Sequence, residues 1–195
     1  SSYVFSSDLS LVKDLRPDLL AWAAGSVQNM PDIPGLEKEH FLTSVQYFEA
    51  RQEIRGPRVL VIGAGRTGLE IAEKLGQDGF EVVATKRTDP IGSMMEMITK
   101  NLTLKRIKEN SNVTLMPRTV IKAFLDASVE VEQDGVGMSW QPFQTVIAAS
   151  GMNPAPGPDL DICQLVPRLE IIGDARQVKD IFGAVTAGYE LAKKY

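Results

Sequence analysis

Cysteine and histidine are almost missing from this sequence. Cys163 is the single cysteine, which excludes an internal disulfide and any cysteine-cluster metal site within the chain. His40 is the single histidine, and a surface or capping role fits it better than acid–base catalysis. No lysine- or arginine-rich run stands out and the formal net charge is −4, so neither nucleic acid nor an anionic membrane is an expected partner. No apolar run approaches the length of a membrane helix and no signal peptide is visible, so a reduced, cytoplasmic setting is expected. No internal repeat of useful length occurs. Apolar material, by contrast, is ample: 195 residues, 44% hydrophobic and 24% charged, suffice for one domain or two small ones around a real core.

The informative stretch runs from Arg58 to Leu75. Val59, Leu60, Val61 and Ile62 form a short continuous apolar run, which suits a parallel strand covered on both faces. Gly63, Ala64, Gly65, Arg66, Thr67 and Gly68 then fit G-x-G-x-x-G. The first glycine permits a tight turn, the second lets a pyrophosphate approach the backbone, and the third lets helix and strand pack closely. Free N–H groups and the dipole at the helix start favour a phosphate, so Gly63, Gly65, Arg66, Thr67 and Gly68 are candidate cofactor contacts. Ile71, Ala72 and Leu75 continue an apolar helix face, Gly79 stands where a C-cap belongs, and Phe80 to Ala84 reads as the second strand. A glycine turn with no ligand is the bland alternative; strand, helix and second strand at the right spacing argue against it.

Around this centre the pattern is α/β. Leu9 to Leu15 reads as a short helix, Leu19 to Ala24 as a short buried strand, and Ser26 to Gly35, with Pro31 and Pro34, as an extended connector. Leu36 to Thr43 leads into a helix, Ser44 to Arg51, capped by Thr43 or Ser44. Ser93 or a neighbour caps a helix to about Glu109, with Met94, Ile98 and Leu102 on one face and the methionines read as core filler. Val113 to Met116 is a third parallel strand. Thr119 to Trp140 breaks into short alternating segments with a hairpin signal at Asp134-Gly135, the pattern of an antiparallel meander. Thr145 to Ala149 returns as an apolar strand, Met152 to Pro158 carries three prolines and reads as irregular, Leu169 to Ile172 is a last strand, and Asp180 or a nearby residue starts a final helix to Lys194. The expected fold is a Rossmann-like parallel sheet with helices on both faces and an added antiparallel meander.

The stretch Val59 to Ala72, with Glu70 two residues after the third glycine, resembles the pyridine-nucleotide domain of the two-dinucleotide flavoprotein oxidoreductases. Pro31-Asp-Ile-Pro-Gly-Leu-Glu37 looks like the connector entering that domain, and Ala23-Ala-Gly25 and Ala149-Ser-Gly151 resemble the family's two A-T-G-like strand ends. Ile171-Ile-Gly-Asp174 looks like the late motif whose aspartate holds a flavin ribityl chain. Order and spacing are most similar to the C-terminal portion of old-yellow-enzyme-like flavoproteins, the 2,4-dienoyl-CoA reductase and trimethylamine dehydrogenase type. The resemblance implies that Ser150 and Gly151 border the nucleotide and that Gly173 and Asp174 contact a flavin. Family members also carry a flavin- and substrate-binding barrel, an iron–sulfur cysteine cluster and a first glycine fingerprint, none of which is in this sequence.

The sequence is therefore expected to be a fragment of a larger enzyme rather than a shortened natural protein. Residues 1–54 would be a partial flavin-domain segment and connector, 55–150 the NAD(P)-binding domain, and 151–195 a second partial flavin-domain segment. The partners implied are a nicotinamide dinucleotide and the remaining domains of the parent. That parent would bind FAD, with FMN and an iron–sulfur cluster also implied. The functional reading is an NAD(P)H-binding domain presenting nicotinamide to a flavin; the alternative is a non-catalytic adenine-nucleotide module of the trimethylamine-dehydrogenase type. No catalytic residue is nominated. Nucleotide choice rests on the residues themselves. The carboxylate that reads a ribose 2′-OH stands about 20 residues past the glycines. Here Thr85, Lys86 and Arg87 occupy that place, so Lys86 and Arg87 are assigned to a 2′-phosphate and NADP(H) is preferred over NAD(H).

Overall fold

The computed structural model describes residues 10–49, 53–93 and 95–195. Leu9, Arg51 and Met94, which the sequence places on helices, lie outside the described residues, as does the patternless stretch 1–8. The chain divides into two compact units, one of residues 28–151 and one of residues 1–27 together with 152–195. It opens with α1 (Ser10–Leu15), β1 (Leu20–Trp22) and β2 (Ser26–Gln28). β1 is half-buried rather than fully buried, because its neighbours form only a two-stranded sheet.

The larger unit is built on five parallel strands. In chain order these are β3 (Phe41–Thr43), β4 (Arg58–Ile62), β5 (Glu81–Thr85), β6 (Val113–Met116) and, after the meander, β10 (Thr145–Ala148). Their spatial order is β3-β10-β4-β5-β6, and every pairing is parallel. β4 lies at the centre with Val59, Leu60 and Val61 fully buried, the outcome expected of an uninterrupted apolar run. Between the strands run α2 (Ser44–Phe48), α3 (Arg66–Gln77) and α4 (Met97–Glu109). Thr43 caps α2: its hydroxyl accepts the Gln46 N–H at 3.1 Å, and the Gln46 side chain accepts the Thr43 N–H at 2.8 Å, a capping box. α3 buries Leu69, Ile71, Ala72 and Leu75 and ends at Gly79, where φ is +93° and the Phe80 N–H reaches back to the Leu75 carbonyl at 3.0 Å.

After β6 the chain does not cross back through a helix. It forms the antiparallel meander β7 (Thr119–Leu125), β8 (Ser128–Gln133) and β9 (Val136–Trp140). Asp134 and Gly135 turn the second hairpin with φ of 52° and 81°, the two left-handed residues that a tight hairpin requires. The expectation of helices on both faces of the parallel sheet is therefore corrected. One face, through Val59, Val61, Val82 and Ile147, packs on Leu69, Ile71 and Leu75 of α3 and Ile107 of α4. The other, through Leu60 and Val146, packs on Ile121, Phe124, Val129 and Val131 of the meander, with Leu36 and Phe143. The alternation of β8 gives the meander one apolar face, which covers the sheet as a helix would. A fully buried leucine or isoleucine at such positions stabilises the fold by about 1.5–3 kcal/mol. The connector is seated here too: the Phe124 N–H donates to the Pro34 carbonyl at 2.8 Å, and a Cβ on Gly35 would stand 2.0 Å from the Phe124 carbonyl oxygen.

Other expectations also change. α4 is capped by Glu96, whose carboxylate accepts the Ile98 and Thr99 N–H groups at 3.0 Å each, not by Ser93. Its Ile98 and Leu102 are exposed, while Thr103 and Ile107 face inward. Met95 is buried as core filler, but Met97 is 72% exposed. Phe41–Thr43, read as mere lead-in, is the edge strand beside β10. The chain then returns through β11 (Met152–Pro154), α5 (Leu160–Leu165), β12 (Leu169–Ile171) and α6 (Ile181–Lys194). β11 pairs with β2, so the proline-rich stretch is not wholly irregular; a three-residue strand needs few N–H donors, and Pro154 stands at its end. α5 occupies a stretch to which the sequence pattern assigns no element. Asp180 caps α6 as expected, accepting the Gly183 N–H at 2.8 Å. Among the described residues no helix is long and apolar enough to cross a membrane.

Candidate functional site

The chain places β5 and β6 on one side of β4 and returns to place β10 on the other. The direction of winding reverses between β4 and β10, and ligands of open α/β sheets bind at the carboxyl ends of the strands flanking such a reversal. The glycine turn lies there, between β4 and α3. Gly63 has a φ of +109°, donates its N–H to the Thr85 carbonyl at 2.9 Å, and leaves no room for a side chain: a Cβ would meet the Ala149 carbonyl oxygen at 2.4 Å. Gly68 is buried on the first turn of α3, where a Cβ would stand 1.7 Å from the Gly63 carbonyl oxygen. Gly65 differs from both. It takes the N-cap position of α3 with no capping side chain, and an added Cβ would meet nothing within 4 Å. Two glycines thus close the turn and the third opens a cradle at a helix start, where N–H groups and dipole attract a phosphate.

Arg66 is exposed beside this cradle, and Thr67, half-buried, follows it. Across the turn the Ala149 N–H donates to the Ile62 carbonyl at 2.8 Å, which brings Ser150 and Gly151 to the border of the cradle. The Ser150 hydroxyl donates to the Asn29 carbonyl at 2.8 Å, the Asn29 amide reaches the Ser150 carbonyl at 3.3 Å, and the Gln28 amide reaches the Gly151 carbonyl at 3.0 Å. The side chain of Ser150 therefore fastens the connector, while Gly151, at φ +91°, keeps the exit of β10 free of a side chain.

Lys86 and Arg87 follow β5, one strand over from the glycine turn. The Lys86 ammonium donates to the Pro90 carbonyl at 2.8 Å and the Ser93 hydroxyl at 2.6 Å. Burial lowers its pKa, and nearby Lys100 adds to that effect while Asp89 opposes it. Arg87 is exposed. The loop they begin folds back on the cradle, since the Gly92 N–H donates to the Ala64 carbonyl at 3.0 Å. The Glu96 carboxyl lies below the usual range because it accepts the Ile98 and Thr99 N–H groups, with a further contribution from Arg66. Sequence reasoning missed Asp89 and Arg118 here. The Arg118 guanidinium, just past β6, donates to Asp89 at 2.8 Å and grips Asp134 through two nitrogens. No local signal marks this contact, although Asp89 stands 21 positions past Gly68, within the range where a ribose-reading carboxylate is sought.

Gly173 and Asp174 belong to the other compact unit. Gly173 has a φ of +59°, and the Asp174 carboxylate accepts the Lys179 N–H at 3.1 Å. His40 stands apart as a surface tether, with Nε2 2.9 Å from the Glu53 carbonyl oxygen.

Residues 12–174 match the family described as pyridine nucleotide-disulphide oxidoreductase. The chain is 28% identical over 188 residues to the bilirubin reductase of Mediterraneibacter gnavus (strain CC55_001C), covering 94% of this chain and 28% of that protein. It is 26% identical over 203 residues to the NADH oxidase of Thermoanaerobacter brockii, covering 96% and 29% respectively. The chain thus spans under a third of the length of these relatives. The structure of a 2-naphthoyl-CoA reductase complexed with 2-naphthoyl-CoA superposes with a TM-score of 0.82 at 21% identity, covering 97% of this chain and 28% of that one, a likeness of fold. With a glycine cradle at the switch point of its parallel sheet and a match running from residue 12 to residue 174, this chain belongs to the pyridine nucleotide-disulphide oxidoreductase family, as a nucleotide-binding Rossmann-like domain of the flavoprotein type.

Proposed function

We propose that the chain is the NAD(P)H-binding domain of a larger flavin-dependent oxidoreductase of the cytoplasm, presenting the nicotinamide for hydride transfer to a flavin. The observation that carries the reading is the cradle: Gly63 and Gly68 are packed so that no side chain fits, while Gly65, at the uncapped start of α3, faces open space. A bound nicotinamide dinucleotide supplies the hydride. The chain's own work is to hold it. Gly65 and the first N–H groups of α3, with Arg66 and Thr67, receive the pyrophosphate, and Gly151 borders it from β10. Residues 55–150 form the nucleotide domain in this reading, and residues 1–54 and 151–195 contribute to a flavin domain. Gly173 and Asp174 contact FAD once the parent's other domains complete that site. The 195-residue chain is therefore expected to show no tight saturable FAD binding on its own.

NADP(H) is the preferred nucleotide. Lys86 and Arg87 offer positive charge after β5, where an NAD-selective site offers a carboxylate. Two charge-assisted contacts, at about 1.5–3 kcal/mol each, correspond to at least about a tenfold gain in affinity. The test is calorimetric titration of NADPH and NADH into the wild-type chain and the Lys86→Ala/Arg87→Ala variant. The reading requires tighter NADPH binding in wild type and loss of that advantage in the variant. Equal affinities in wild type refute the preference, and no saturable binding of either nucleotide refutes the site. In the parent enzyme, bleaching of flavin absorbance by NADPH separates hydride delivery from a purely structural nucleotide.

A further inference from the structure

We propose that Arg118 is a positioning residue for nucleotide choice, acting by clasping Asp89, a carboxylate that would otherwise stand free beside the adenosine ribose. The inference rests on the reading that the end of β5 holds that ribose. Asp89 lies in the loop leaving β5, 21 positions past Gly68 and just beyond Thr85, Lys86 and Arg87, close to where this fold places its ribose-reading acid. A free carboxylate there accepts a ribose 2′-OH and repels a 2′-phosphate. In this chain it is not free: Arg118 Nη1 donates to Asp89 Oδ2 at 2.8 Å.

The corner that carries Arg118 is a built feature. The Lys86 N–H donates to the Met116 carbonyl and the Thr119 N–H to the Lys86 carbonyl, both at 2.9 Å, so the β6–β7 corner is bracketed against the residue that starts the Asp89 loop. Arg118 takes a left-handed φ of 50°, rare for a residue with a long side chain. What holds it there is the hairpin turn: the Asp134 N–H donates to the Arg118 carbonyl at 3.2 Å, and the Asp134 carboxylate takes Nε and Nη2 of the guanidinium. Only Nη1 is then left over, and it points at Asp89. The forked grip fixes the guanidinium plane in a way that a lysine ammonium would not. Lys86 and Arg87, just past β5, and Lys100 on α4 bring positive charge to the loop. With Asp89 neutralised by Arg118, they present net positive charge to a phosphate.

The test measures NADPH and NADH dissociation constants by calorimetry in the 195-residue chain for four proteins: wild type, Arg118→Ala, Asp89→Asn/Arg118→Ala and Asp134→Asn. The quantity read is the ratio of the NADH to the NADPH constant. Arg118→Ala is expected to lower it about tenfold by freeing a charge next to the phosphate. Adding Asp89→Asn is expected to restore it to within about twofold of wild type, the margin of ordinary additivity. Asp134→Asn tolerates the left-handed turn but breaks the forked grip on the guanidinium, so it is expected to lower the ratio by less than Arg118→Ala does. If the alanine variant melts below assay temperature, Arg118→Gln is read in its place. A ratio unmoved by loss of Arg118 overturns the proposal. So does a fall that Asp89→Asn fails to rescue, which would put Arg118 on the phosphate itself, and so does an equal fall in Asp134→Asn. A wild-type ratio near one refutes the NADP(H) preference alone, since fall and rescue still decide the clasp; absence of saturable binding by either nucleotide sinks both.

Discussion

Replacing Gly68 with alanine inverts the usual rule for helices. In an exposed helix interior the exchange stabilises by about 1 kcal/mol, because glycine gives up more backbone freedom on folding. At Gly68 the new methyl would stand 1.7 Å from the Gly63 carbonyl oxygen, 2.9 Å from the Gly63 carbonyl carbon and 3.3 Å from the Ala149 Cβ. The first two are backbone atoms of the strand-to-helix turn and cannot rotate away. Relief requires the start of α3 to withdraw from β4 by more than an ångström, which loosens the contact of Leu69, Ile71 and Ala72 with Val59 and Val61. Overpacking of this kind costs about 1–3 kcal/mol, at the upper end where backbone must move. Against the propensity gain, a net loss of about 2 kcal/mol is expected, or about 4–8 °C in Tm for a chain of this size. Thermal melting followed by circular dichroism reads it directly. An unchanged or raised Tm would show that helix and strand do not approach as closely as the third glycine of the turn implies.

Gly65→Ala is the complement: φ is −80° and the space is open, so stability should change by less than about 1 kcal/mol while affinity for NADPH falls by at least about tenfold, the methyl taking the place of the pyrophosphate; a variant that binds as wild type refutes the cradle. Thr43→Ala removes one side of a complete capping box and should cost about 1 kcal/mol in urea unfolding. Glu96 has a folded pKa below its ordinary value, so its contribution to stability is present above that ordinary value and is lost as pH falls through the folded one. The stability gap between wild type and Glu96→Gln should therefore be open at pH 7 and close towards pH 3; a gap independent of pH would remove Glu96 from the cap of α4.

What the sequence discloses are features whose causes are local. The three glycines announce themselves within six residues: a positive φ at Gly63 and a close helix–strand approach at Gly68 exclude a side chain, and Gly65 leaves an open cap between them. Asp134-Gly135 likewise fixes a hairpin from two adjacent residues. The rest depends on partners far along the chain. Phe41–Thr43 becomes a strand only because β10 lies beside it, pairing Val146 with Phe41 across more than 100 residues. The periodicity of β8 shows that Val129 and Val131 are buried but not that they cover the sheet in place of a helix. Ser93 is by residue type the better N-cap, yet its hydroxyl is engaged by the Lys86 ammonium, and Glu96 three residues later takes the role. The Arg118 clasp joins the turn of one hairpin to the exit of another strand, and no spacing rule reaches that far.

Lys86 and Arg87, assigned alike from sequence, should then separate in experiment. Lys86 uses two of its three N–H donors on the Pro90 carbonyl and the Ser93 hydroxyl, half-buried among loop backbone. That loop touches the cradle through the Gly92 N–H and the Ala64 carbonyl, so releasing it should disturb the pyrophosphate site, which both nucleotides share. Arg87 is exposed, and its charge acts on the one group that distinguishes them. Lys86→Ala is therefore expected to weaken NADPH and NADH together, with a smaller loss of preference from the missing charge. Arg87→Ala should weaken NADPH by about tenfold or more, in line with about 1.5–3 kcal/mol for a charge-assisted contact, and leave NADH within about twofold. Parallel titrations of both nucleotides into the two single variants decide the matter. A Lys86→Ala chain that keeps full NADH affinity, or an Arg87→Ala chain that loses both nucleotides equally, refutes the division, because a loop tether must be felt by any ligand of the cradle and a phosphate contact by only one.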